Sequence, residues 1–217
     1  MKIKRVTLKG VELQLLPEKA LYLPAFKTLC IADWHLGKAA HFRKSGIPLP
    51  QPDLALEFNK ISILMTKHEV QKIILLGDVF HSSINNDFLL FRKFILNHST
   101  ATWILTAGNH DIIDHDHFKL LGIQVVNEYT LGENILCTHA PQETIPDHVL
   151  NLAGHVHPGC EIVTSARQRF RLPCFHYSRS VMTLPAFGGL TGLYILQADA
   201  DNRIFPILGD EVKELKP

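Results

Sequence analysis

The strongest constraint in this chain is a transition that recurs along it. Five short apolar runs, Lys27–Ala32, Lys72–Gly77, Thr102–Ala107, Asn134–Thr138 and Val149–Gly154, each give way to Asp, Asn or His. Apolar, β-branched runs of this length between polar or Gly-rich loops are the pattern of strands buried on both faces. Between the first two lies Asp53–His68, with Leu54, Phe58, Ile61 and Met65 at spacings of three and four. That spacing lines one face of a helix, and Pro50 and Pro52 suit its start. Asn86–His98 repeats the spacing with Leu90, Phe91, Phe94 and Ile95. The first half therefore reads as β-α-β-α-β.

The second half changes character. Strand-like runs follow closely at Gln124–Asn127, Cys160–Thr164, Gln168–Leu172, Val181–Leu184 and Leu193–Gln197, with few helix-length segments between them. Val6–Leu8 and Val11–Leu16 add strands at the beginning. A purely doubly wound sheet does not end this way. Two packed sheets with helices outside fit better, an α/β (α+β) class in one domain over residues 1–208, with 209–217 a polar tail.

Charge excludes a protein held to nucleic acid by a global basic field. Lys plus Arg is 22 against 21 for Asp plus Glu, a formal net charge of +1, so any such contact has to be local. The four cysteines, Cys30, Cys137, Cys160 and Cys174, form no C-x-x-C pair, and the first two sit in apolar runs. That usage, with no secretory signal and no run of 18 apolar residues, reads as a reduced, cytoplasmic protein without a membrane span. The unusual count is 13 histidines, the side chain that titrates nearest neutrality and a common metal ligand.

Many of those histidines stand where strands end. The five exits read Asp33-Trp34-His35, Gly77-Asp78-Val79-Phe80-His81, Gly108-Asn109-His110-Asp111, Thr138-His139 and Gly154-His155-Val156-His157. In α/β sheets the carboxyl ends of strands form the crevice where ligands bind. Carboxylate, amide and neutral imidazole together suit Mn²⁺, Fe²⁺ or Zn²⁺, and the lack of cysteine argues against a closed structural zinc site. Glycine before Asp78, Asn109 and His155 permits tight turns and close backbone approach. A carboxylate bridging two ions about 3.5–4 Å apart would create the setting for in-line attack on a phosphoryl group by a bridging hydroxide.

These blocks, in this order, resemble the calcineurin-like metallophosphoesterase superfamily. The resemblance implies a four-layer α-β-β-α sandwich of two mixed sheets with a dinuclear centre. It implies that Asp33, His35, Asp78 and His157 bind one metal, that Asp78, Asn109, His139 and His155 bind the other, and that Asp78 bridges. Mn²⁺ is the first expectation for both ions, with Fe²⁺ or Zn²⁺ as alternatives. His110 would stabilise the transition state or act as general acid, and Asp111 would orient it. The second block ends in His81, the variant of the superfamily's nuclease branch. With Ile31–Lys38, His41–Pro48 and Leu184–Gly188, the chain resembles the bacterial ligase-associated DNA-damage-response metallophosphoesterases. That likeness implies a DNA phosphodiesterase in repair, assisted by His81, with DNA, a DNA ligase and a helicase as partners.

Two local basic groups suit DNA. Lys38, His41, Arg43 and Lys44 follow the first block in a loop expected to rim the crevice, and Arg167, Arg169 and Arg171 alternate along a strand, so that all three point to one side. The second group is equally a solvated strand edge. Trp34 is either a base-stacking group or a buried anchor beside the metals. His115 and His117 read as surface histidines, and His176 has no assigned role. A phosphomonoesterase or a nucleotide phosphodiesterase on small substrates uses the same metals and is the alternative reading. A metal-free binding scaffold is the reading from another class, against which the complete ligand set stands.

Overall fold

The structure is a computed structural model that describes residues 2–44, 46–47, 53–81, 84–111 and 113–215. Its strands and helices are, in chain order, β1 (Lys4–Leu8), β2 (Val11–Leu16), β3 (Ala20–Leu23), β4 (Thr28–Ala32), α1 (Lys38–Lys44), α2 (Leu54–Lys67), β5 (Lys72–Leu76), α3 (Asn86–Asn97), β6 (Thr102–Thr106), α4 (His115–Lys119), β7 (Ile123–Val126), β8 (Glu128–Leu131), β9 (Ile135–Thr138), β10 (Leu150–Ala153), β11 (Pro158–Val163), β12 (Arg169–Ser178), β13 (Val181–Thr183), β14 (Tyr194–Leu196), β15 (Asn202–Leu208) and β16 (Glu211–Val212). The first sheet runs β1 to β7 in sequence order; the second runs β14-β11-β12-β13-β10-β9-β8, with β15 on β12 and β16 on β15.

Both sheets are mixed, as expected. β1 to β4 are antiparallel, while β4, β5, β6 and β7 are parallel neighbours. The parallel strands carry almost uninterrupted apolar runs because both faces are covered. One face of the first sheet packs Leu29, Ile31, Leu75 and Leu105 under the helices, against Ile61 and Leu64 of α2, Phe91 and Phe94 of α3 and Phe118 of α4. The other face packs Cys30, Ile74, Leu76 and Ile104 against Cys137, Leu152, Phe175, Met182 and Phe205 of the second sheet. Asp53 caps α2 by accepting from the Ala55 and Leu56 N–H groups, and Asn85 caps α3 through Asp87 and Phe88. Pro50 and Pro52 lie outside the described residues.

Two features depart from the sequence reading, and the helices are unevenly drawn from the chain. Among the described residues every α-helix lies between 38 and 119, and a single 3₁₀ turn spans Pro24–Phe26. The polar tail is not free: Glu211–Val212 pairs with β15, Val212 is buried, and the Leu215 N–H donates to Ile204 O at 2.9 Å. Last, the expected rim loop after the first block is helix α1.

Candidate metal centre

Parallel pairing brings the block residues together. β4, β5 and β6 run in register in one sheet, and β9 and β10 in the other, so five exits open at one end of the sandwich. Asp33, His35 and His157 converge in one group, and Asp78, His139 and His155 in a second; within each, the ligating atoms lie within 4.8 Å of one another. Asp78 stands between them, with Oδ1 3.5 Å from His139 Nε2 and Oδ2 4.0 Å from His35 Nε2. Asn109 Oδ1 joins the second group, 3.0 Å from His139 Nε2.

The donor chemistry fits two divalent cations. His139 Nδ1 lies 3.1 Å from Leu76 O. A carbonyl only accepts, so Nδ1 carries the proton and Nε2 presents a lone pair. That lone pair faces Asn109 Oδ1, Asp78 Oδ1 and, at 3.0 Å, His155 Nδ1. In the first group His35 Nε2 lies 3.2 Å from His157 Nε2, which lies 3.5 Å from Asp33 Oδ1. Two imidazole nitrogens at ~2.0–2.1 Å from one ion stand about 3–3.4 Å apart, as these do. Asp33 and Asp78 are 0% and 2% exposed, and their ion-pair partners among the described residues are histidines alone. Buried carboxylates need compensating positive charge. Burial, then the positive field of Lys38 and the neighbouring histidines, lowers the His35 pKa to about 2, which keeps that imidazole neutral and able to coordinate.

The backbone bends to aim these groups. Asp33, His35, Asp78, His155 and His157 all have positive φ, between 50° and 68°, a conformation that costs L-residues of order 1–3 kcal/mol each and collects at functional sites. The surrounding loops hold them there. The His155 N–H donates to both Asp33 oxygens, at 2.9 and 3.1 Å, and the His110 N–H donates to Asp78 Oδ1 at 2.8 Å. Gly154 leaves room for the Asp33 carboxylate, and Gly77 for the His139 ring; a Cβ at either would collide with those atoms.

His81 and His110 lie beside His35. Their rings lie 4.7 Å apart, and the His35 ring lies 5.4 Å from the first and 5.6 Å from the second. Asp111 has a different task from the one expected. Its oxygens accept the N–H groups of Asp78 (2.9 Å), Gly108 (2.9 Å), Val79 (2.8 Å) and Phe80 (3.3 Å), and among the described residues no hydrogen bond joins it to the His110 ring. It ties the β5 and β6 exit loops together. Burial raises its pKa while the amides oppose the shift.

Trp34 is an anchor: it is 3% exposed and its Nε1–H donates to Glu57 Oε2 at 2.7 Å. Sequence reasoning missed Glu57 because nothing in the spacing of α2 marks an inward acid. Its carboxylate reaches the loop between Asp33 and His35 from the helical layer.

The model of the calcineurin-like phosphoesterase family matches residues 26–177. This chain belongs to that family. Among solved structures it is similar to Pseudomonas putida nuclease MPE, at 31% identity over 99% of this chain and 100% of that one, with a TM-score of 0.80. It is also matched to Yfce, a phosphoesterase from E. coli, at 12% identity over 87% of this chain and 97% of that one, with a TM-score of 0.46. No curated protein matches.

In this calcineurin-like phosphoesterase the basic groups do not gather as tightly as the metal-site residues. Lys38 opens α1 beside the centre, close enough for its charge to act on His35, and Asp78 in turn raises the Lys38 pKa against the larger lowering by burial. Arg43 is exposed on the same helix, and the side chains of His41 and Lys44 lie outside the described residues. Arg169 and Arg171 sit opposite Val163 and Glu161 in the β11–β12 register, and both reach Glu161, at 2.6 and 3.6 Å. β11 starts next to His157, so these arginines lie about 13–20 Å along the strand from it. Arg167 is in the turn, with φ 58°, and does not continue their alternation. No helix among the described residues is long and apolar enough to cross a membrane.

Proposed function

We propose that this phosphoesterase is a nuclease, hydrolysing phosphodiester bonds in DNA by in-line displacement and acting in DNA repair. The observation that carries the reading is the likeness, over essentially the whole length of both chains, to a protein described as a nuclease. His81 supports it, since the Gly77-Asp78-Val79-Phe80-His81 block brings a second imidazole beside His110.

Asp33, His35 and His157 would hold one divalent ion and Asp78, Asn109, His139 and His155 the other, with Asp78 shared. The ions, Mn²⁺ in first place, would acidify water and neutralise phosphate oxygens. The chain's own residues supply the rest. His110, with the His81 ring tilted against it at 4.7 Å, would donate a hydrogen bond to the phosphoryl group or a proton to the leaving oxygen. Lys38 adds a fixed positive charge at the rim, and Arg43 and the hairpin arginines extend a path for further phosphates. Asp111 and Glu57 hold the loops that aim these groups. DNA is the proposed partner molecule, and a ligase and a helicase are the proposed protein partners.

The test is cleavage of single-stranded and duplex DNA with added Mn²⁺, beside Asp78→Ala. Cleavage by the wild type and its loss in the variant are expected. Turnover of mononucleotides without cleavage of DNA would assign the protein to small-substrate phosphoester hydrolysis instead.

A further inference from the structure

A cavity of about 740 Å³ lies against the outer face of the second sheet, within the size range of small-molecule sites. It shares a wall with the metal centre. Val156, part of its lining, is the residue between His155 and His157, and Pro141 and Gln142 follow closely on His139. Alternation along the strands explains which groups face it. Phe175 and Met182 point into the core between the sheets, so His176, Ser178, Val181 and Thr183 point the other way and line the cavity. His176, Thr183 and Ala153 occupy one row across β12, β13 and β10. Two strand spacings put His176 about 10 Å from Ala153, and His155 follows Ala153 by two residues.

The lining has two kinds of surface. Val156, Val181 and Leu196 offer an apolar wall, while Gln142, Thr144, Ser178 and Thr183 offer uncharged hydrogen-bonding groups. The His176 side chain forms no hydrogen bond among the described residues, and burial holds its pKa down against Asp199, so the imidazole is neutral and both ring nitrogens are available. An apolar wall with a neutral polar edge is complementary to a nucleobase, which has apolar faces and a hydrogen-bonding rim. Charge excludes a phosphate from the same space. Among the described lining residues Glu143, Asp199 and Asp201 outnumber the single cation Arg179, which disfavours an anion but offers acceptors to the exocyclic amino groups of adenine, cytosine or guanine.

We propose that this cavity is a nucleoside site that takes a base next to the phosphate being cleaved, and so makes the enzyme favour base-bearing over abasic strands. The inference rests on the nuclease reading above and adds to it a site for the uncharged part of the substrate.

The test compares three substrates with Mn²⁺ present: a single-stranded oligonucleotide, the same strand with abasic sugars flanking the cleavage position, and bis-p-nitrophenyl phosphate. Wild-type enzyme is expected to favour the base-bearing strand at least tenfold in kcat/KM. His176→Ala, and Ser178→Trp, which fills the space, are expected to lower that ratio towards one. Equal cleavage of both strands by the wild type, or an unchanged ratio in both variants, overturns the nucleoside site while leaving the nuclease reading in place. Turnover of bis-p-nitrophenyl phosphate with no DNA cleavage overturns both. Equal loss on all three substrates in both variants assigns these residues a structural role and also overturns the site.

Discussion

Asp111 accepts the backbone N–H of Asp78 at 2.9 Å, so the residue expected to aim a catalytic histidine instead holds the carboxylate that stands between the two ligand groups. Three further amide hydrogens, from Gly108, Val79 and Phe80, end on the same side chain. Hydrogen bonds to a buried charged acceptor contribute ~1.5–3 kcal/mol each, and leaving a buried donor unmet costs about as much. Asp111→Asn turns amide hydrogens towards backbone N–H groups. It is expected to destabilise the metal-free protein by about 2–4 kcal/mol, measured by urea unfolding. An unchanged midpoint would count against the loop-tying role.

His110 offers a cleaner separation of chemistry from architecture. Its backbone N–H holds Asp78 Oδ1, and alanine keeps that N–H. His110→Ala is therefore expected to bind metal as the wild type does while kcat falls by ~10²–10⁴, the usual contribution of a positioned acid or base. Metal content and steady-state kinetics measured on the same preparation check this; a fall of less than about tenfold would remove His110 from the chemistry.

The Trp34–Glu57 contact gives a dependence on pH. Burial raises the Glu57 pKa, against the Trp34 N–H, Lys60, the Gly189 N–H and Lys19. The folded state then binds the proton more tightly than the unfolded state does. This contribution is fully present below the unfolded pKa, ~4.5, and is lost as pH rises through the raised folded value. Glu57→Gln keeps an acceptor for Trp34 without the charge. The variant is expected to gain stability relative to the wild type as pH rises from about 4 to 8, read as the difference between their denaturation midpoints. A difference independent of pH would show that Glu57 does not titrate in this way.

Much of this site was legible because each block follows an apolar run long enough to be a strand, and parallel strands deliver their exits to one edge. Asp33 through His157 could be ordered from that alone. What escaped has physical reasons. Ala20–Leu23 is only four residues long, and β15 contains Pro206, which removes a ladder donor and argues against a strand. Residues 128–215 supply strands and loops but no α-helix, so the outer face of β12 and β13 lines a cavity. Arg167 broke its alternation by entering a turn. Asp111 was misread because backbone amides, its actual partners, leave no mark in a sequence.

Two groups of side chains sharing Asp78 are proposed to hold two divalent ions that support phosphoester hydrolysis. Equilibrium dialysis of the metal-free protein against Mn²⁺, followed by hydrolysis of bis-p-nitrophenyl phosphate at each degree of loading, tests this directly. Two ions per chain, activity that rises with loading, and loss of both in Asp78→Asn are expected. A wild-type chain that takes up no metal, or one fully loaded and inactive on every phosphoester, would contradict the proposal.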